Sequence, residues 1–586
     1  MNQVNPCGPG ARYQVTSVTE FAIIMRGHFK EGKEKPMLID SITNYPIGAN
    51  VHIYRQGGLN IAYDVNSGSL HLLDDLTFAL IGEWIAYQKA YPQSLERPEE
   101  MIAATGQDLP EGAKADILHE LAGLQEQQIL FSKPVSEGTR GRAGSKRDSE
   151  WQESERDTDK RIKAICLHVA HDCNLRCGYC FAGTGDFGGA RGMMSLDVGK
   201  KALDFIFQAC GERPHCEVDF FGGEPLLNWP VVRDLVLYGR ELEEKTGKTA
   251  KFTMTTNAVL FTEEVQDFVE KEHISVVFSL DGRPEVHDRM RPFPDGSGSY
   301  RIIADRVSAW MRNHKETSRY ATGTYAYVRG TYTRHNLDFD RDVMHLAGLG
   351  IERISLEPVV APATVTASGS LASSSGAVSS GASSSGAVLS GTASSGAASP
   401  SGTASSGAVC DYALTHKDID VLGESYDRLG EEARKGGFTF FHFNAGLAGV
   451  CLPKRVSGCG AGTEYLAVSP EGDLYPCHQF VGKEAFCMGS LMNGADNAQG
   501  DSWENVVRNP AATKLADQFR QANIYGKAAC RMCWARFSCS GGCHASNVTH
   551  GGSLFDVYEL GCVLQKKRLE VAYYLQIRET LQLSMD

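Results

Sequence analysis

The chain has 586 residues, too many for one hydrophobic core, so about three domains are expected. Its 42% apolar and 22% charged content is that of a water-soluble globular protein, and a net charge of −13 with acids and bases interspersed argues against a nucleic-acid partner. Apolar runs such as 21–25 are too short to span a bilayer, and Met1 leads into polar sequence without an apolar signal core, so a cytoplasmic protein with no membrane partner is expected.

After an N-terminal extension (1–48), residues 49–134 read as a small module. VHIYRQGGLNIAYDVNSGSLHLL (51–73) alternates β-formers around Gly57-Gly58 and Asn66-Ser67-Gly68, a strand meander with tight turns. Helical patterns follow at 76–88 and 113–130, which suits a winged-helix-like unit. Residues 135–160 are charged and nearly free of aliphatics, as in a flexible linker. A DNA-binding winged helix is disfavoured, because no basic recognition helix is visible.

From 161 to 360, apolar strand runs alternate with amphipathic helices. The strands are expected at 162–170, 216–222, 251–257, 274–280, 323–329 and 352–358, with helices such as 197–209 and 261–272 between them. This alternation predicts an α/β fold with parallel strands, either an open sheet or a barrel, whose chemistry lies at the strands' carboxyl ends. Residues 361–409 hold a Ser/Gly/Ala low-complexity insert expected to be disordered. A bridging region (410–458), a cysteine-rich domain (459–562) and a C-terminal helix (563–586) complete the chain.

Seventeen cysteines in a reducing compartment point to metal ligation rather than disulfides. Cys173, Cys177 and Cys180 lie in HDCNLRCGYCF (171–181), just past the first strand of the α/β region. Three thiolates on a four-iron cluster leave one iron open to a small-molecule chelator. A structural zinc completed by His168 or His171 is the competing reading. CNLRCGYC resembles the cluster-binding motif of radical S-adenosylmethionine (SAM) enzymes, and FFGGEP (220–225) after the next strand resembles that family's second motif. The resemblance implies a partial (β/α)6 TIM-type barrel in which SAM fills the open iron site. It also implies that Gly222, Gly223, Glu224 and Pro225 meet the SAM ammonium, Glu224 by a charge-assisted hydrogen bond, and that Tyr179 lies against the adenine. Asn257, Ser279, Asp281 and, more remotely, Arg329 are candidates for ribose and carboxylate contacts.

A second constellation reads C-x12-G-x4-C … C-x2-C-x5-C-x3-C … C and resembles the SPASM extension of radical SAM peptide-modifying enzymes, with zinc knuckles the alternative. Carried over, Cys530, Cys533, Cys539 and Cys562 would ligate an outer auxiliary [4Fe-4S] cluster, and Cys459, Cys477 and Cys543 an inner one, three clusters in all. Sulfatase-maturing relatives place a cysteine where this chain has Tyr465, and an aspartate where it has His478. The inner cluster then has an open iron, or Cys451 serves as fourth ligand or catalytic thiol. Cys166, Cys210, Cys216 and Cys487 read as small core hydrophobes, and Cys7 and Cys410 as free thiols.

Within this group the chain is most similar to maturases of six-cysteine (SCIFF) peptides, through CLHVAHDCNLRCGYCF, VRGTYTRHNLDF (328–339) and GCGAGTEYLAVSPEGDLYPCHQFVG. That resemblance implies thioether bonds between cysteine sulfur and an α-carbon of a cysteine-rich precursor peptide. The leader would be held by the 49–134 module, with a ferredoxin or flavodoxin as electron donor. Another radical SAM peptide crosslink, formylglycine formation, and a non-enzymatic electron-transfer or zinc-scaffold protein are the alternatives.

Overall fold

A computed structural model describes residues 42–133, 162–313, 324–361, 410–444, 456–492 and 509–583. The linker at 135–160, the insert at 364–409, Cys451 and nearly all of the N-terminal extension lie outside the described residues.

A three-stranded antiparallel sheet comes first, with β1 (Val51–Gln56), β2 (Leu59–Asp64) and β3 (Leu70–Leu73) in that spatial order. Gly57 and Gly58, both at positive φ, make the first turn. In the second, the Asp64 carboxylate accepts hydrogen bonds from the N–H groups of Asn66 and Ser67. The helix Asp75–Ala90 is capped by Asp74, whose Oδ1 accepts from Leu76 N (2.8 Å) and Thr77 N (2.9 Å). The helix predicted over 113–130 ends at Glu126. Gln128 turns left-handed (φ 58°), and the N–H groups of Ile129 and Leu130 fold back to the Leu124 carbonyl. That reversal buries Leu130 and Phe131 beside Leu80 and Trp84.

The second sheet has eleven strands among the described residues. Six come from the β/α alternation: β4 (Ala164–His171), β6 (His215–Gly222), β7 (Thr249–Thr256), β8 (Ser275–Ser279), β9 (Ala326–Tyr332) and β10 (Arg353–Pro358), all parallel and adjacent in chain order. The two-residue β5 (Gly192–Met193) pairs antiparallel with the end of β4. Every residue of β4 (AICLHVAH) is buried, as in a central parallel strand covered on both faces. Helices such as Leu196–Ala209, Trp229–Thr246 and Tyr300–Asn313 cover the outside. These are the six runs expected from the sequence.

Extensions at both edges of this sheet were not visible there. β11 (Thr439–Phe440) extends the sheet beyond β10 in parallel. On the other side, β12 (Tyr465–Val468) lies parallel to β4 and is followed by antiparallel β13 (Asp473–Tyr475) and β14 (Gly489–Ser490). The cysteine-rich region is thus hydrogen-bonded into the barrel sheet. Among the described residues, no helix is long and apolar enough to cross a membrane.

The C-terminal helix, Glu559–Leu583, fastens the parts together. Its Arg568, buried, donates to Glu357 Oε2 (3.0 Å), to the Leu356 carbonyl (3.1 Å) and to Tyr426 OH (2.7 Å). Burial pushes the Glu357 carboxyl up, but Arg568, followed by His442 and Arg329, overcomes this and holds it down at about 2. On the same helix, Glu570 Oε1 lies 2.9 Å from His52 Nε2, and Tyr573 packs on Tyr63 with ring centroids 4.5 Å apart. The His52 ring stacks on Trp534 (3.7 Å, 5°), and Arg536 donates to Ala49 O and Asn50 Oδ1.

Replacing Arg568 with Met leaves Glu357 without its hydrogen-bonded cation. Solvent reaches one edge of Glu357, so the expected loss is about 2 kcal/mol, less than for a fully buried pair. Urea denaturation of the two proteins at pH 7 checks this.

Candidate active site and iron–sulfur centres

The site begins where β4 and β6 end. Gly222 lies at φ 130°, and a Cβ on it would collide with the Ala170 carbonyl. A Cβ on Gly223 would collide with the Asp172 carbonyl. Glycine is required at both positions, because two main chains touch here. Gly223 N donates to Ala170 O (2.8 Å) and Glu224 N to Asp172 O (2.9 Å), which ties the GGEP turn to the first residue of the cysteine loop. Pro225 opens a short 3-10 helix, Pro225–Asn228, capped by the Glu224 side chain.

Glu224 is fully enclosed. Its carboxylate accepts from Leu226 N (3.1 Å), Thr256 Oγ1 (2.7 Å) and Asn257 N (2.8 Å), so it binds the turn to the end of β7. Burial raises its pKa to about 7 against those three donors. Asn257 then projects back: its Nδ2 donates to Asn174 Oδ1 (2.7 Å) and lies 3.8 Å from Cys173 Sγ. Asp281 is fully buried, accepting from Tyr179 OH (2.6 Å) and Thr331 N (2.9 Å) and pairing with Arg291 (3.0 Å). Ser279, the last residue of β8, is the register partner of Arg329 in the middle of β9. Arg329 faces Tyr327, Glu357, His442 and His478, near enough to influence the titration of each.

The ten candidate ligand cysteines fall into three groups. Burial pushes the Cys173 thiol up to about 12, with Glu224, Cys177 and Cys180 adding to the effect. Burial likewise raises Cys477 to about 12, reinforced by Cys543 and Cys459. It raises Cys562 to about 12 as well, reinforced by Cys539, Cys530 and Cys533. Electrostatic influence thus links Cys173 with Cys177 and Cys180, Cys477 with Cys459 and Cys543, and Cys562 with Cys530, Cys533 and Cys539. No three His, Cys, Asp or Glu side chains among the described residues converge tightly enough for a single ion. All-thiol groups are the donor set that cysteine-ligated iron–sulfur clusters take. Loading would deprotonate these thiols, since the thiolate is the ligand.

Cys562 sits in the first turn of the C-terminal helix, inside the helix and not ahead of it. Tyr465 opens β12, and its hydroxyl interacts with the buried Cys166 thiol and lies 3.5 Å from His478 Nδ1. The His478 ring lies 5.0 Å from that of Phe221 and 5.7 Å from that of Phe181.

Two residues at these centres were not found from sequence. Lys527 is buried, donates to Gly541 O (2.7 Å), and feels Cys530, Cys539, Cys543 and Cys562, so it stands between the two C-terminal groups. Arg291 reaches Cys177 Sγ (4.0 Å). Neither has a motif; each is made relevant by neighbours many positions away.

Comparison with known proteins agrees with this geometry. Residues 162–303 match a family model described as a 4Fe-4S single cluster domain, and residues 459–534 match the SPASM model, described as an iron–sulfur cluster-binding domain. Residues 162–303 and 459–534 are thus each similar to an iron–sulfur cluster-binding domain, the second to a SPASM domain. It is 27% identical over 196 residues to the radical SAM cyclopropyl synthase TigE of Paramaledivibacter caminithermalis, a match covering 31% of this chain and 39% of that protein. It is 25% identical over 186 residues to a cysteine-type anaerobic sulfatase-maturating enzyme of Clostridium novyi, covering 29% of this chain and 48% of the relative. The chain thus spans less than half the length of the curated relatives it matches. Among solved structures, native anSMEcpe with bound AdoMet superimposes with a TM-score of 0.53 at 16% identity, over 72% of this chain and 99% of that one. The same protein with bound AdoMet and Kp18Cys peptide gives 0.51 over the same shares. These likenesses establish the fold.

Gly223→Ala should separate the two strand ends and lower iron content by about one cluster's share, measured per chain after anaerobic reconstitution. Glu224 gives a pH signature. Its folded pKa lies above the unfolded value, so its contribution to stability is present below about pH 4.5 and lost as pH rises through about 7. Relative to Glu224→Gln, the parent should lose roughly 2 kcal/mol between pH 5 and 8; paired thermal melts across that range read the difference.

Proposed function

We propose that this protein is a radical SAM enzyme that forms thioether crosslinks, from cysteine sulfur to an α-carbon, in a ribosomally made cysteine-rich peptide. The observation that carries the reading is the arrangement of ten thiols in three groups, the first at a GGEP-tethered strand end and two in the SPASM region.

When bound, the clusters and SAM supply a low-potential electron, of order −400 mV for cysteine-ligated centres, and a 5′-deoxyadenosyl radical. The chain's own residues set where that chemistry happens. Gly222 and Gly223 leave the turn's main chain bare beside the cysteine loop, and Glu224 fixes that turn from behind. Asn257 faces the Cys173 side, with Tyr179 on the cysteine loop itself and Ser279 and Asp281 at and just past the end of β8, as the proposed SAM contacts. Arg329, exposed in the middle of β9, lies near Glu357, His442 and His478.

Forming a C–S bond breaks one C–H and one S–H bond. One hydrogen atom goes to 5′-deoxyadenosine, one proton leaves, and one electron must be taken up. The inner C-terminal group supports a place for sulfur and electron together: it has three thiols among the described residues, and Tyr465 is turned toward Cys166 where another branch would have a ligand. A substrate thiolate held there would be oriented, and orientation of this kind is worth ~7–11 kcal/mol of barrier. Cys451 is the alternative fourth ligand.

The 49–134 module is proposed to hold the peptide's leader. Among the described strands β3 pairs only with β2, and addition of a leader strand along its other edge is the proposed mode of binding. A ferredoxin or flavodoxin is proposed as the electron donor.

The reading is tested with a cysteine-rich peptide encoded beside the gene, incubated anaerobically with reconstituted enzyme, SAM and reductant, then alkylated. Mass spectrometry should show loss of two hydrogens per event and fewer alkylatable thiols. An aldehyde product would replace this reading with formylglycine formation. A carbon–carbon link with all thiols free would replace it with another crosslinking reaction.

A further inference from the structure

We propose that Arg291 is a positioning residue for the cluster at Cys173, Cys177 and Cys180, and that its charge holds that cluster's reduction potential above the value the loop would otherwise give. The inference rests on the cluster assignment and is independent of what is done to any peptide.

Arg291 follows the helix Pro284–Met290 and runs alongside the cysteine loop. Arg176 N donates to Pro292 O (2.8 Å) and Gly178 N to Met290 O (2.8 Å), so main-chain bonds on both sides of Arg291 clamp it to the loop. The segment is anchored again from behind: Arg291 N donates to His287 O (2.7 Å), and Ser299 Oγ donates to Arg291 O (2.6 Å). The side chain is therefore delivered to one place.

There the guanidinium lies 4.0 Å from Cys177 Sγ, 3.0 Å from Asp281 Oδ1 and 5.4 Å from the centre of the Tyr179 ring. Asp281 is held in turn by Thr331 N at the same oxygen, Oδ1, and by Tyr179 OH at Oδ2. The ion pair is neutral in sum but oriented, with its positive end toward the sulfur. Both side chains are buried, Asp281 completely and Arg291 to 12% exposure, so water screens the field little. A one-electron reduction adds negative charge beside this cation, and donors to cluster sulfurs are a recognised lever on potential. Asp281 meets the cost of burying Arg291 and, by the same opposition, partly offsets its effect. Removing either member should therefore move the potential, in opposite directions.

The test uses the full chain, anaerobically reconstituted, with a potentiometric titration followed by electron paramagnetic resonance. The relevant signal is the one lost in the Cys173→Ala/Cys177→Ala/Cys180→Ala variant; if no signal is lost there, the cluster assignment itself falls. In Arg291→Gln the reduced-to-oxidised ratio at the parent's midpoint should drop about tenfold, which is ~59 mV more negative for a one-electron couple. Asp281→Asn should shift the midpoint the other way. An unchanged or higher midpoint in Arg291→Gln overturns the proposal. If Arg291→Gln takes up no cluster, Asp281→Asn decides: a higher midpoint supports the role, and an unchanged or lower one rejects it.

Discussion

Main-chain contact between the ends of β4 and β6 is the constraint on which the rest of the site depends. Gly223 N and Glu224 N reach Ala170 O and Asp172 O only because neither glycine has a side chain to hold the strands apart. That contact fixes the start of the cysteine loop, and Asn257, from the end of β7, and Arg291, from the end of the helix Pro284–Met290, then approach the loop. The loop is thus defined by backbone on one side and by buried polar groups on the other. Any ligand placed against it meets a surface whose atoms are already committed, the condition for preorganised chemistry.

Buried charge is distributed to the same end. Asp281 with Arg291 and Glu357 with Arg568 each place a carboxylate at a strand terminus and satisfy it from a different element. Such pairs add little net stability over apolar packing, but each enforces one geometry, because an unpaired member would be costly. Near an iron–sulfur centre that geometry is also electrostatic: the sign and direction of each pair persist whatever the chain binds.

The fold was legible where the sequence repeats a physical signal often enough to be unambiguous. Six apolar runs separated by amphipathic helices dictate a parallel sheet, and β4 shows why: a strand buried on both faces has no polar alternation to confuse it. The first cysteine group has local spacing and so could be read directly, whereas the division of the C-terminal cysteines came from the resemblance, because Cys543 lies far along the chain from Cys459 and Cys477. What was missed is long-range or brief. β11 has two residues and β12 four, too few for a period, and they are strands only because β10 and β4 offer free edges. Arg291 and Lys527 carry no local signature, since their roles come from partners that only folding brings near. The overlong helix prediction at 113–130 failed because a left-handed Gln128, which propensity does not foresee, turns apolar Leu130 and Phe131 back into the module.

One helix carries Cys562, a member of the outer thiol group, and six residues later Arg568, which grips β10; beyond that, Glu570 and Tyr573 grip the N-terminal module. In chain order this helix follows every part it fastens. The order of maturation is thereby constrained. The barrel and the antiparallel module can each form their own contacts first, but the outer centre gains its Cys562 only when the helix seats. Unseating this one helix would therefore undo at a stroke the outer thiol group, the grip on β10 and the hold on the N-terminal module.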